Sequence, residues 1–168
     1  MQSPHEYIPK SAQFRAQPGD IPQVLAWGLG LVTETIEVYE KILEQSSADT
    51  MRDELGDCMW YLCQLCEDMG YSFSFLIQHT PNEMATWLTD IVDMRSALLQ
   101  AKEIGEWIKK HYFHSPRDKD VLFQHLALYM EYMHRVMVAY GGWQLILEQN
   151  IAKLTERHGE KFQAGYKS

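Results

Sequence analysis

The chain has 168 residues, 46% of them hydrophobic, and a formal net charge of −8. That length allows one buried core but not two independent globular domains, and Lys and Arg scattered on an acidic chain give no footprint for a nucleic-acid backbone. No run reaches the roughly twenty apolar residues of a membrane span, no signal-peptide stretch opens the sequence, and the cytoplasm is the expected location.

Residues 1–22 contain Pro4, Pro9, Pro18 and Pro22, a density that predicts an extended N-terminal arm. From Val24 to Leu43 apolar residues recur at helical spacing, and Ser46-Ser47 breaks the run. A second helix is expected from about Met51 to Met69, with Gly70 as its stop. A short segment around Phe73 to Gln78 follows, then a break at Thr80-Pro81-Asn82, then one long helix from Glu83 to His111. Beyond Ser115-Pro116-Arg117-Asp118, two more helices are expected, Val121 to Tyr140 and Trp143 to His158, separated by Gly141-Gly142. No alternating run of strand length occurs. The expected fold is all-α, an antiparallel helical bundle forming a single domain over 23–168.

Laid over itself at an offset of 69 to 70 residues, the sequence reads as two related repeats, about 23–80 and about 83–160. Glu34 and Glu37 fall on Glu103 and Glu106, Lys41 on Lys110, and Phe73 and Leu76 on Trp143 and Ile146. A helical hairpin cannot bury its apolar face alone, so the halves are expected to pack as a pseudo-dimer. A homodimer of pseudo-dimers is a further expectation.

Cys63-x-x-Cys66 invites a redox or zinc reading, but it has no second such pair and no His close in sequence. Cys58, Cys63 and Cys66 fall on the core-type residues Leu128, Met133 and Val136 under the offset and are read as buried thiols. The acids carry more information. Glu34 and Glu37 share a face of the first helix, and Glu54 and Asp57 share a face of the second. On a helical wheel Glu34 lies beside Trp27, Leu31 and Val38, and Glu54 beside Leu65 and Cys58, at the border of the apolar stripe. One such pair is ordinarily a solvated surface feature. Two pairs crowded at a core border repel and lose hydration, which a bound cation relieves. An all-oxygen set suits Mg²⁺, with Mn²⁺ as a substitute, rather than Zn²⁺.

The run from Gly28 through Glu34-x-x-Glu37, followed by Glu54-Leu55-Gly56-Asp57-x-x-Trp60-Tyr61-Leu62 and, near the end, Asn150-Ile151-Ala152-Lys153-Leu154-x-x-Arg157, resembles the all-α nucleoside triphosphate pyrophosphohydrolases of the MazG-like group. The resemblance spans Val24 to His158. It implies hydrolysis of a nucleoside triphosphate, ribo or deoxy, to the monophosphate and pyrophosphate, which would serve nucleotide-pool control. It also implies Mg²⁺ held by Glu34, Glu37, Glu54 and Asp57, a water whose proton passes to Glu34, and phosphate-side contacts from Asn150, Lys153 and Arg157. Lys41 and Tyr61 are added as substrate-side candidates, Tyr61 because the wheel sets it between Glu54 and Asp57.

Thr33 stands where many relatives carry another acid. In the second half Gln124 and Ala127 replace Glu54 and Asp57, while Asn150 and Lys153 answer to Thr80 and Glu83 in the first. One composite site is therefore expected, with metal ligands from the first half and phosphate grip from the second. The erosion leaves a catalytically silent nucleotide- or metal-binding module, or a structural helical interaction protein, as alternatives. Glu131-x-x-His134 has di-iron spacing but no partner pair. His111-x-x-His114 beside Lys109 and Lys110 reads as a basic helix end. Most of the five tryptophans are expected in the core.

Overall fold

The computed structural model describes residues 3–13, 22–79 and 90–165. Every regular element among them is an α-helix: α1 (Pro4–Ala12), α2 (Gln23–Leu43), α3 (Ala48–Met69), α4 (Phe73–His79), α5 (Asp90–Phe113), α6 (Lys119–Ala139) and α7 (Trp143–Gly165). The expected helices are present; α7 runs past the expected end at His158 to Gly165, and local capping sets several of the other ends. Ser47 Oγ accepts from Thr50 N–H at 3.2 Å and starts α3 three residues earlier than the apolar pattern suggests. Gly70 ends α3 in the left-handed region at φ 80°, where Tyr71 N–H reaches back to the Cys66 carbonyl at 2.8 Å. Asp118 caps α6 by accepting from Asp120 N–H at 2.9 Å. The break at Thr80-Pro81-Asn82 and the start of the long helix at Glu83 lie outside the described residues.

Over residues 4–12 the expected extended arm is wrong. Those residues form α1, because Ser3-x-x-Glu6 closes a capping box: Ser3 Oγ accepts from Glu6 N–H at 3.3 Å and the Glu6 carboxylate accepts from Ser3 N–H at 3.4 Å. Pro4 sits in the first turn, where a missing N–H costs nothing. Pro4 thus suits the helix start, and Pro9 is carried inside α1. Pro18 lies outside the described residues.

Helices α2 and α3 run antiparallel, with Trp27 Nε1 donating to Asp68 near one end and Thr35 beside Cys58 further along. Helices α5 and α6 pair the same way, through Gln100 with His125 and Asp93 with Arg135. The hairpins meet where Gly28 lets Ile108 lie against the α2 backbone. Leu31, Leu55, Leu62, Ile104, Leu126, Met130 and Met133 are fully withdrawn from water at this junction, each contributing about 1.5–3 kcal/mol of apolar transfer. Cys58, Cys63 and Cys66 are free and buried, and burial pushes the Cys58 and Cys66 thiols up, so neither serves as a thiolate near neutral pH. Helix α7 lies along α3, and α1 packs against α3, α4 and α7.

Helices α2 and α5 end at Leu43 and Phe113, α3 and α6 end at Met69 and Ala139, and α4 and α7 begin at Phe73 and Trp143. The two members of each of these three pairs stand 70 residues apart.

Candidate metal centre

Antiparallel pairing of α2 with α3 brings Glu34 to Glu54 and Asp57. One carboxylate oxygen from each lies within 4.8 Å of the others, and all three side chains are half-buried. Among the described residues no other group of acids, His or Cys gathers in this way. Burial first, then the charges of Asp57, Glu37 and Glu54, push the Glu34 carboxyl up from 4.5 to about 7. The Glu54 carboxyl rises for the same reasons, burial leading and Asp57 and Glu37 following. Glu37 itself is exposed one turn further along α2 and lies outside the triplet, though its charge is felt by Glu34, Glu54 and Tyr61.

Helix α7 completes the cluster. Lys153 Nζ donates to Asp57 Oδ2 at 2.5 Å and Asn150 Nδ2 donates to Asp57 Oδ1 at 2.9 Å. Lys153 also reaches the Asp53 carbonyl at 3.5 Å. This approach needs Gly56, because a Cβ there would lie 2.9 Å from Asn150 Cβ. Asn150 is 1% exposed and committed to Asp57 and Tyr7, so it faces the carboxylate rather than open space. Arg157, one turn beyond Lys153, is exposed on an open groove of about 580 Å³ that Asp49, Asp53, Gln149 and Glu156 also line. Lys41 pairs with Glu44 at 2.9 Å and lowers the Glu54 carboxyl only weakly. Tyr61 lies flat against α2 at Gly30 and meets Trp60 edge-on at 4.9 Å between ring centres. Its phenol is raised by burial and then by Glu34, Asp57 and Glu37, which places it beside the acids.

Among the described residues of the second half no such cluster forms. Glu103 pairs with Lys102, Glu106 with Lys109 and Lys110, and Gln124 is exposed. Glu131 pairs with Arg135. His134 is 6% exposed, and burial lowers its pKa. His111 stacks on Trp107 at 4.5 Å, and its Nδ1 accepts from Arg117 N–H, a loop-closing role.

Residues 24–85 match the family model of the MazG nucleotide pyrophosphohydrolase domain. Over that segment the chain is similar to a MazG domain. No curated protein and no solved structure matches the chain. The MazG match takes in Glu34, Glu37, Glu54 and Asp57 and stops well short of α7, so Asn150 and Lys153 are contributed from outside it. Tyr7 also lies outside the MazG segment and was missed in the sequence, although the Ser3-x-x-Glu6 box was there to be read. Among the described residues no helix is long and apolar enough to cross a membrane.

A raised carboxylate has a consequence for stability. The Glu34 value in the folded chain lies above its unfolded value, so its stabilising contribution is full below about pH 4.5 and is lost as pH rises through about 7. In EDTA, Glu34→Gln should therefore gain on wild type as the pH climbs through that window. The gain is roughly 1 kcal/mol, well below what the displacement alone would give, because half of the carboxyl meets water. Thermal melts of both proteins between about pH 5 and pH 7.5 read the gap; a gap indifferent to pH would contradict the crowding of these acids.

Proposed function

We propose that the chain hydrolyses a nucleoside triphosphate to the monophosphate and pyrophosphate, with Mg²⁺ (or Mn²⁺) held by Glu34, Glu54 and Asp57 and with Glu37 at the rim. The observation that carries this reading is the half-buried all-oxygen triplet within the segment similar to a MazG domain. Its donor chemistry fits a hard divalent ion, and its mutual repulsion is what such an ion relieves. When bound, the ion would offset charge on the phosphate oxygens and acidify water.

The residues then divide the work. Water attacks the α-phosphorus, the bond from it to the oxygen bridging to the β-phosphorus breaks, and the water's proton passes to a carboxylate, for which Glu34 is best suited by its half-buried position. Lys153, already at the acid cluster, is the cation nearest to meet the phosphates. Arg157 flanks it on the open groove, and the half-buried Tyr61 lies beside the acids. Metal ligands from one repeat and Lys153 from the other make one composite site per chain, in a single domain descended from a duplication.

Pyrophosphate release from a panel of ribo- and deoxynucleoside triphosphates with Mg²⁺ tests the reading. Activity in wild type that is lost in Glu37→Gln supports it, and no turnover with nucleotide binding intact points to a silent binding module. In the same assay Lys153→Met should raise KM by about tenfold or more, since a charge-assisted contact to phosphate is removed. Glu103→Gln should change KM little; equal effects would refute the composite site.

A further inference from the structure

Helix α1 precedes the MazG segment, yet it reaches into the acid cluster. Tyr7 is fully buried, and its hydroxyl donates to Asn150 Oδ1 at 2.8 Å, while Asn150 Nδ2 donates to Asp57 Oδ1 at 2.9 Å. The direction of this chain is forced. An ionised carboxylate can only accept, so Asn150 must turn its amide nitrogen to Asp57. Its carbonyl oxygen is then left in a closed interior that requires a donor, and the Tyr7 O–H supplies it. A phenylalanine would fill the same space against Phe73, whose ring lies 5.9 Å away, so packing alone does not call for the hydroxyl.

The helix carrying Tyr7 is itself held. Trp60 Nε1 donates to the Ser11 carbonyl at 3.1 Å and Gln64 Nε2 donates to Ser11 Oγ at 3.0 Å, so α1 is fixed to the same helix that bears Glu54 and Asp57. Gly56 lets Asn150 sit close against α3, beside Asp57.

We propose that Tyr7 is a positioning residue for the metal centre. Through Asn150 it fixes the Asp57 carboxylate in the orientation that gathers it with Glu34 and Glu54. This rests on the metal reading under Proposed function, and it makes α1 part of the site. A residue that orients a ligand at one remove commonly affects metal affinity by one to two orders of magnitude.

The test is a Mn²⁺ titration of the whole metal-free chain without nucleotide, with free Mn²⁺ followed by electron paramagnetic resonance. Tyr7→Phe keeps the ring and removes the donor, and should raise the Mn²⁺ Kd by about tenfold or more. Ser11→Ala loosens the same helix without touching Asn150, and should lower Tm while leaving the Kd unchanged. In an Asn150→Leu background, Tyr7→Phe should add nothing further, because the link is already cut. Should Tyr7→Phe not fold, Asn150→Leu cuts the same link from its other end and is read against wild type in the same titration. A wild-type Kd retained by Tyr7→Phe, or by Asn150→Leu in that case, overturns the positioning role alone, as does an equal rise in Ser11→Ala. Wild-type protein that takes up no Mn²⁺ overturns the metal reading itself, and the positioning role with it.

Discussion

Asp57→Asn should reduce pyrophosphate release by on the order of 10³-fold and cost about 2 kcal/mol of stability. The catalytic loss follows from removing one of three gathered oxygens and its charge. The loss of stability follows from hydrogen-bond polarity. Asp57 accepts from Asn150 on one oxygen and from Lys153 on the other, and both partners can only donate in these positions. An asparagine has one accepting end, so whichever way it turns, its amide nitrogen confronts a donor. Lys153 also loses its counter-charge, with its side chain only 13% exposed. Activity assays and thermal melts of the metal-free protein read the two effects. Glu34→Gln is the informative contrast, since it too should lose turnover while gaining stability near neutral pH. If Asp57→Asn instead stabilised the chain, Asp57 would be one more crowded acid and not the hub.

Gly30→Ala should cost roughly 2 kcal/mol, about 4–8 °C in Tm, through a methyl group placed where the Tyr61 ring now lies. The ring has little room to retreat, because Trp60 meets it edge-on at 4.9 Å and Trp27 stands at 6.3 Å between centres. Its displacement would also disturb Glu34, one turn from Gly30 along α2. Tyr61→Leu should recover much of the lost stability in the double variant, and the coupling measured by the four proteins' melts identifies the clash. Additive losses would show that alanine harms α2 in some other way.

The acids were legible because their relation is local. Three-residue spacing sets each pair on one helical face, and a short loop forces the two helices to run antiparallel, so Glu34 meets Glu54 and Asp57 as the wheel implies. Glu37 is further from the triplet because the helix turns it toward water, a rotation small enough on a wheel to be overlooked. Asn150 and Lys153 were identified by resemblance, and their arrival at Asp57 could not be read from periodicity, since it depends on how α7 docks. Gly30 and Gly56 look like poor helix formers until the ring and the amide they admit are known. Helix α1 is hidden for a different reason: proline density reads as a breaker, and the four-residue capping box outweighs it.

Asp57 and Lys153 are 96 residues apart in the chain. Closing so long a loop costs entropy that grows only slowly with length, and what holds α7 down is its packing on α3, with smaller contacts to α1 and α6. A ligand gripped from both sides would then act as a clasp across that seam, suppressing the partial opening through which backbone amides of α7 exchange with solvent. Occupancy of the site and the cohesion of the two ends of the chain are, in that sense, one equilibrium seen from two places.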